Sequence, residues 1–247
     1  MNIQTLAPPH ERDALIEFDE PTHVYRIQGQ SDLVSVTTFV GKLFPPFDAD
    51  AVIEKMVKSK NWPKSKYFGM SPEEIKATWQ GSADLGTRLH ADIERTYKGE
   101  EVVNDTPEYA QFKEFHAKCV IGVRTPYRSE WRVFTEGVVG TVDMIYQLPD
   151  GTYEICDWKR TDKITKMSPW GSAVHPIVEH LPDTNFWHYA LQLNLYQFIL
   201  EKEYGLKISR RFLVCLHPNR GSYEIVPIPE LQQDVQLLMD DLLRSKN

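Results

Sequence analysis

An acid and a lysine stand two residues apart in Asp157-Trp158-Lys159, and a second acid ends the upstream run Gly140-Thr141-Val142-Asp143. Side chains alternate along a strand, so Asp157 and Lys159 share one face and Trp158 takes the other. Pro149-Asp150-Gly151 is a turn signal between the two runs. A hairpin closed there sets Asp143 and Asp157 across from each other near the strand ends. Two converging carboxylates repel unless a cation lies between them, and Mg²⁺ or Mn²⁺, which takes oxygen ligands and keeps several waters, suits such a place. A cation held there acidifies a water and stabilises charge building on a phosphate. Lys159 adds a positive point charge beside that water or phosphate.

The tripeptide by itself is weak evidence. Roughly two acid-x-lysine triplets are expected by chance at this composition, and Glu74-Ile75-Lys76 is another. Alone, Asp157 and Lys159 read as a strand-end salt bridge. What separates this triplet from the other is the aspartate at hairpin distance and two flanking helices. In the upstream helix His90 and Glu94 are four apart on one face. A neutral imidazole can ligate a divalent metal, and Glu94 can bind it directly, bind it through water, or orient the histidine. In the downstream helix Gln192 and Tyr196 have the same spacing.

The elements that must position these residues follow from pattern. His23 to Ile27 alternates like a strand, and the β-branched stretch Leu33 to Val40 also has strand character. Asp50 to Lys58 reads as a short helix. A long helix runs from Pro72 to Tyr97, started by Ser71 and Pro72, with a break expected near Gly81 or Gly86. Pro107 to Lys118 is a further helix. Three strands follow, Tyr127–Thr135, Gly140–Gln147 and Tyr153–Trp158, then a helix from Asn185 to Glu203. Two strands, Phe212–His217 and Ser222–Val226, precede a last helix from Pro229 to Leu243. The order predicts an α/β fold with a mixed central sheet flanked by helices.

The chain has 247 residues, enough for one large domain. Residues 1–70 read as a strand-and-loop extension, 72–228 as a catalytic core and 229–247 as a closing helix. The absence of a long apolar run argues against membrane association, and the N-terminus lacks the pattern of a secretory leader. Three scattered cysteines, Cys119, Cys156 and Cys215, suit an intracellular protein with reduced thiols. A net charge of −7 disfavours indiscriminate coating of nucleic acid, but leaves room for local phosphate-binding patches.

Taken in order, His90-x-x-x-Glu94, Gly140-x-x-Asp143, Asp157-x-Lys159 and Gln192-x-x-x-Tyr196 resemble the PD-(D/E)XK nuclease superfamily, and within it the RecB-like branch. His23-x-Tyr25 followed by Ser35-Val36-Thr37 is similar to phage and large-virus members of that branch. The resemblance spans about residues 23 to 200. It implies the restriction-endonuclease-like core. It also implies that His90, Asp143, Asp157 and the backbone carbonyl of Trp158 ligate Mg²⁺ or Mn²⁺, and that Lys159 positions or polarises the attacking water. By the same resemblance Glu94 supports that metal or a second one, with Glu136 as runner-up. Gln192 and Tyr196 organise the site and touch the nucleic-acid backbone. Relatives with an iron–sulfur cluster carry four cysteines, so no cluster is expected here. No helicase signature is present, so any unwinding falls to a partner.

Lys55, Lys58, Lys60, Lys64 and Lys66 cluster with Trp62, Tyr67 and Phe68, a composition that can meet phosphates and unpaired bases. Arg160, Lys163 and Lys166 follow the catalytic strand and are a second phosphate-binding group. Residues 161–184 are rich in Pro and Gly and read as a flap over the site; His175 and His180 read as loop residues within it. The activity expected is a metal-dependent DNA exonuclease acting at free ends in phage or viral DNA processing, recombination or repair. A recombination or replication protein is its possible partner. The competing readings are a flap or branch endonuclease and a nucleic-acid-binding module without catalysis.

Overall fold

The turn Glu136-Gly137 folds the middle of the chain into an antiparallel hairpin, with Gly137 taking the left-handed conformation (φ 82°) that a tight turn requires. The computed structural model describes residues 6–19, 22, 24–30, 33–167 and 171–246; His23 lies outside them. Strands β1 (Ile16–Asp19) and β2 (Val24–Ile27) pair with each other. Then come β3 (Val34–Ser35), α1 (Val36–Lys42), α2 (Ala49–Lys58), α3 (Pro72–Tyr97) and α4 (Pro107–Phe115). Strands β4 (Thr125–Thr135), β5 (Val138–Gln147) and β6 (Tyr153–Lys159) follow, then α5 (Asn185–Tyr204), β7 (Ile208–Cys215), β8 (Glu224–Pro227) and α6 (Gln232–Lys246). Among the described residues no helix is long and apolar enough to cross a membrane.

The fold is mixed α/β. Its main sheet has six strands: β3, β5, β6, β7 and β8 lie in that order, and β4 pairs with β5. β3 with β5 and β6 with β7 are parallel; the other pairings are antiparallel. Helices cover both faces. One core joins α1, α5 and α6 to the sheet through residues such as Val36, Leu191, Leu195 and Leu238. The other joins α3 and α4 through Leu89, Ile93, Phe112 and Phe115. Alternation along β6 sends Ile155 into the first core and Cys156 and Trp158 into the second.

Two expectations change. Leu33–Val40 yields only a two-residue strand before α1 begins. Ser35 caps that helix by accepting the Thr38 amide, and Val36, Phe39 and Val40, at helical spacing, bury one face. Burial of that face outweighs the strand preference of β-branched residues. The long helix α3 is unbroken at Gly81 and Gly86. A glycine costs about 1 kcal/mol against alanine in a helix. A reciprocal cap between Ser71 and Glu74 at one end, and burial of Leu89, Ile93 and Tyr97 at the other, hold the helix together. The segment before residue 72 also supplies β3 to the main sheet and α1 to the first core.

Candidate active site

β5 is shared along one edge. β3 pairs with its first two residues and β6 with Met144 to Gln147, so Gly140 to Asp143 face the cleft between those two strands. Continuing the β5–β6 register beyond Met144–Cys156 sets Asp143 opposite Asp157. The Asp143 carboxylate takes over from the ladder there: its Oδ2 accepts the Trp158 amide at 2.9 Å.

Side-chain alternation also breaks at Asp143. Val142 packs into the first core and Met144 into the second, although residues two apart on a regular strand share a face. Across the ladder the β4–β5 pairing skips Glu130, which sits at φ 45°. That left-handed conformation costs a non-glycine residue about 1–2 kcal/mol and marks a place to look for function. Its consequence is a cluster. His90 of α3 places Nδ1 3.4 Å from Asp143 Oδ2 and 3.7 Å from Glu130 Oε1. Its Nε2 lies 2.8 Å from the Trp158 carbonyl. One donor atom from each of His90, Glu130 and Asp143 lies within 4.8 Å of the others, a spacing that suits a single cation.

Asp157 is almost fully buried. Its Oδ2 is 2.7 Å from Lys159 Nζ, and its buried Oδ1 has no hydrogen-bond partner among the described residues. An orphaned carboxylate oxygen in a closed setting costs free energy unless a cation or donor meets it. Lys159 Nζ also lies over the Tyr189 ring at 4.6 Å. The Trp158 side chain anchors the strand from the opposite face, edge-on to Phe112 and Phe115 at 5.5 and 5.6 Å.

Charge follows from this crowding. Burial pushes the His90 imidazole down, but Asp143 and Glu130 outweigh it and raise its pKa to about 9. Burial and the neighbouring Asp143 carboxylate raise Asp157 to about 6, against the pull of Lys159. For Lys159 burial favours the neutral amine, but Asp157 and Asp143 prevail and its pKa lies above the ordinary lysine value. The two carboxylates thus favour the charged form of Lys159.

The other predicted residues divide. Glu94 does not join His90; its carboxylate reaches along α3 to Lys98 Nζ at 2.6 Å. Glu136 is exposed on the β4–β5 turn. Glu130, absent from the sequence motifs, lies beside His90 and Asp143 instead. The β4–β5 register counted back from the Glu136-Gly137 turn sets Glu130 opposite Asp143, a signal present in the sequence. Gln192 Nε2 points at Tyr196 Oη from 3.5 Å. Tyr196 is buried, so contact with a nucleic-acid backbone is replaced by packing: a Cβ on Gly140 would come within 2.8 Å of Tyr196 Cε1.

Arg160 is likewise committed inward. Its Nε pairs with Glu108 at 2.7 Å and its Nη1 reaches Ser82 at 3.2 Å, so its charge is spent on α4 rather than on phosphate. Lys58 pairs with Glu54. Lys60, Lys64 and Lys66 are exposed, Trp62 is half-buried, and Lys163 lines an open groove against β8 with Lys166. His175 and His180 tie residues 171–184 to α6 through Asp241 and Asp234, both at 3.5 Å.

No family model matches the sequence, and no curated protein matches it. Solved structures do. One, of a protein called SSO0001, shares 17% identity with a TM-score of 0.36, over 88% of this chain and 78% of that one. Another, from Eubacterium rectale, is of a protein whose name marks it as a proposed exonuclease. It shares 16% identity with a TM-score of 0.41, over 87% of this chain and 82% of that one. Likeness at this level carries no argument about chemistry, which rests on the chain's own residues.

Proposed function

We propose that this chain is a divalent-metal-dependent nuclease of the PD-(D/E)XK type, in its RecB-like branch, that hydrolyses DNA from free ends. The observation that supports it most is the meeting of His90, Glu130 and Asp143, with the Trp158 carbonyl at the other ring nitrogen of His90, beside a buried Asp157–Lys159 pair. Mg²⁺ or Mn²⁺ would be held by those three side chains, the orphaned oxygen of Asp157 and the Trp158 carbonyl. When bound, it supplies a Lewis acid that neutralises phosphate charge and acidifies a water.

The chain's own groups do the rest. Lys159, paired with Asp157, orients a water or a phosphate oxygen by charge. Asp143 holds the Trp158 amide and so aims the carbonyl of the same residue at His90. Tyr196, packed on Gly140, fixes the floor. Action at DNA ends, and a place in phage or viral DNA processing, recombination or repair, follow from the motif resemblance.

End-labelled linear DNA incubated with Mg²⁺ tests the reading. Lys159→Ala is expected to lower cleavage by roughly 100-fold or more, as loss of a charge-stabilising group does. Equal cleavage by both proteins refutes the assigned site. A covalently closed circle separates the activities: an exonuclease leaves it intact, and an endonuclease cuts it.

A further inference from the structure

α2, the turn at Trp62–Lys64 and the first half of α3 form an arm with its own small core. Its buried apolar side chains Ile53 and Ile75 belong to neither of the two main cores. Aromatic rings are strung along it. Phe47 meets Trp79 edge-on at 6.0 Å, Trp79 meets Tyr67 at 6.2 Å, and Trp62 meets Phe68 at 6.0 Å. Trp79 Nε1 donates to Tyr67 Oη at 2.9 Å, which fixes the middle of the string. Yet Phe47 is 74% exposed and Phe68 58%. A single exposed phenylalanine is unremarkable, but two wet phenylalanines, each backed by half-buried rings, mark a binding surface.

Three exposed lysines lie beside those rings. Lys60, Lys64 and Lys66 make no ion pair among the described residues, and Lys66 Nζ stands 4.9 Å from the Tyr67 ring centre. Four of the arm's acids have partners: Asp48 caps α2, Asp50 pairs with Lys76, Glu54 with Lys58, and Glu74 caps α3; Glu73 is exposed on the first turn of α3, away from the three lysines in sequence. The arm also points at the site. Trp79 and His90 are eleven residues apart on α3, three turns of helix, so they face the same way roughly 16 Å apart. Between them on that face lie Ala83 and Gly86, and the Arg160 side chain lies against Gly86. Arg160 fastens this stretch of α3, at Ser82, to the end of the catalytic strand.

We propose that the arm is a stacking platform for an unpaired nucleic-acid strand, with bases on Phe47 and Phe68 and phosphates on Lys60, Lys64 and Lys66. Its purpose, to lead one strand along α3 to the His90 site, rests on the nuclease reading. Bases inside a duplex are sealed by their neighbours, so exposed rings select strands whose bases are free.

Binding is read by fluorescence anisotropy in EDTA, with a labelled 20-nucleotide DNA strand and its duplex as probes. Cleavage plays no part under these conditions, so failure here is distinct from failure of the nuclease reading. The single strand is expected to bind more tightly than the duplex. Phe47→Ala/Phe68→Ala is expected to weaken single-strand binding roughly ten-fold or more. Lys60→Gln/Lys64→Gln/Lys66→Gln, at exposed positions that do not bear on folding, is expected to reduce the slope of log affinity against log salt by about 2. Equal affinity for strand and duplex, no binding of either, or an unchanged salt slope in the lysine variant overturns the proposal.

Discussion

Lys159 is often the residue from which an acid-x-lysine site is read, yet its role is set by Asp157. The ion pair at 2.7 Å favours the charged amine. Glu130 is the residue that the short motifs do not reveal. It sits on another strand from Asp143 and reaches the cluster through a left-handed backbone that the ladder must support. Glu94 has the motif spacing but turns to Lys98. The two glutamates make opposed predictions. Glu130→Gln is expected to weaken Mn²⁺ binding, read by calorimetry, by roughly ten-fold or more, by analogy with loss of a group that supports a metal site. Glu94→Gln is expected to leave it within about two-fold. The reverse order would return the supporting role to Glu94.

At the scale of elements, the site depends on how closely helix α5 approaches β5. Tyr196 packs where only a hydrogen can stand on Gly140, and Val36 of α1 closes the same gap, 3.2 Å from where a Cβ would lie. Gly140→Ala therefore pushes the tyrosine, the strand or α1 outward. It is expected to destabilise the protein by about 1–3 kcal/mol and to lower nuclease activity more than the melting temperature implies. Unchanged thermal unfolding would show that α5 yields without cost. The same packing explains why α1 is a helix despite its valines and threonines: its apolar face has α5 to lie against. The main strands and helices were legible because alternation and helical spacing are local properties. The helix at Val36 was not, because its cause is a neighbour far along the chain.

Over the whole molecule, Arg160 joins three parts: the end of β6, Glu108 of α4 and Ser82 of α3. Removing one member of a buried ion pair leaves the other uncompensated. Arg160→Gln is expected to lower stability by roughly 2–4 kcal/mol in chemical denaturation, and Glu108→Gln in the same protein to restore most of it. A phosphate contact would instead weaken DNA binding with unchanged stability and no rescue. The sequence by itself determined the mixed α/β order, the Asp143–Asp157 hairpin and the facing of Lys159, because strand periodicity and a short turn set those relations within a few residues. Only the tertiary structure decided which glutamate joins His90, that Tyr196 and Arg160 turn inward, and that Phe47 and Phe68 stay wet. Those outcomes depend on which surfaces meet across strands and helices distant in sequence, where burial and ion pairing between remote residues outweigh local spacing.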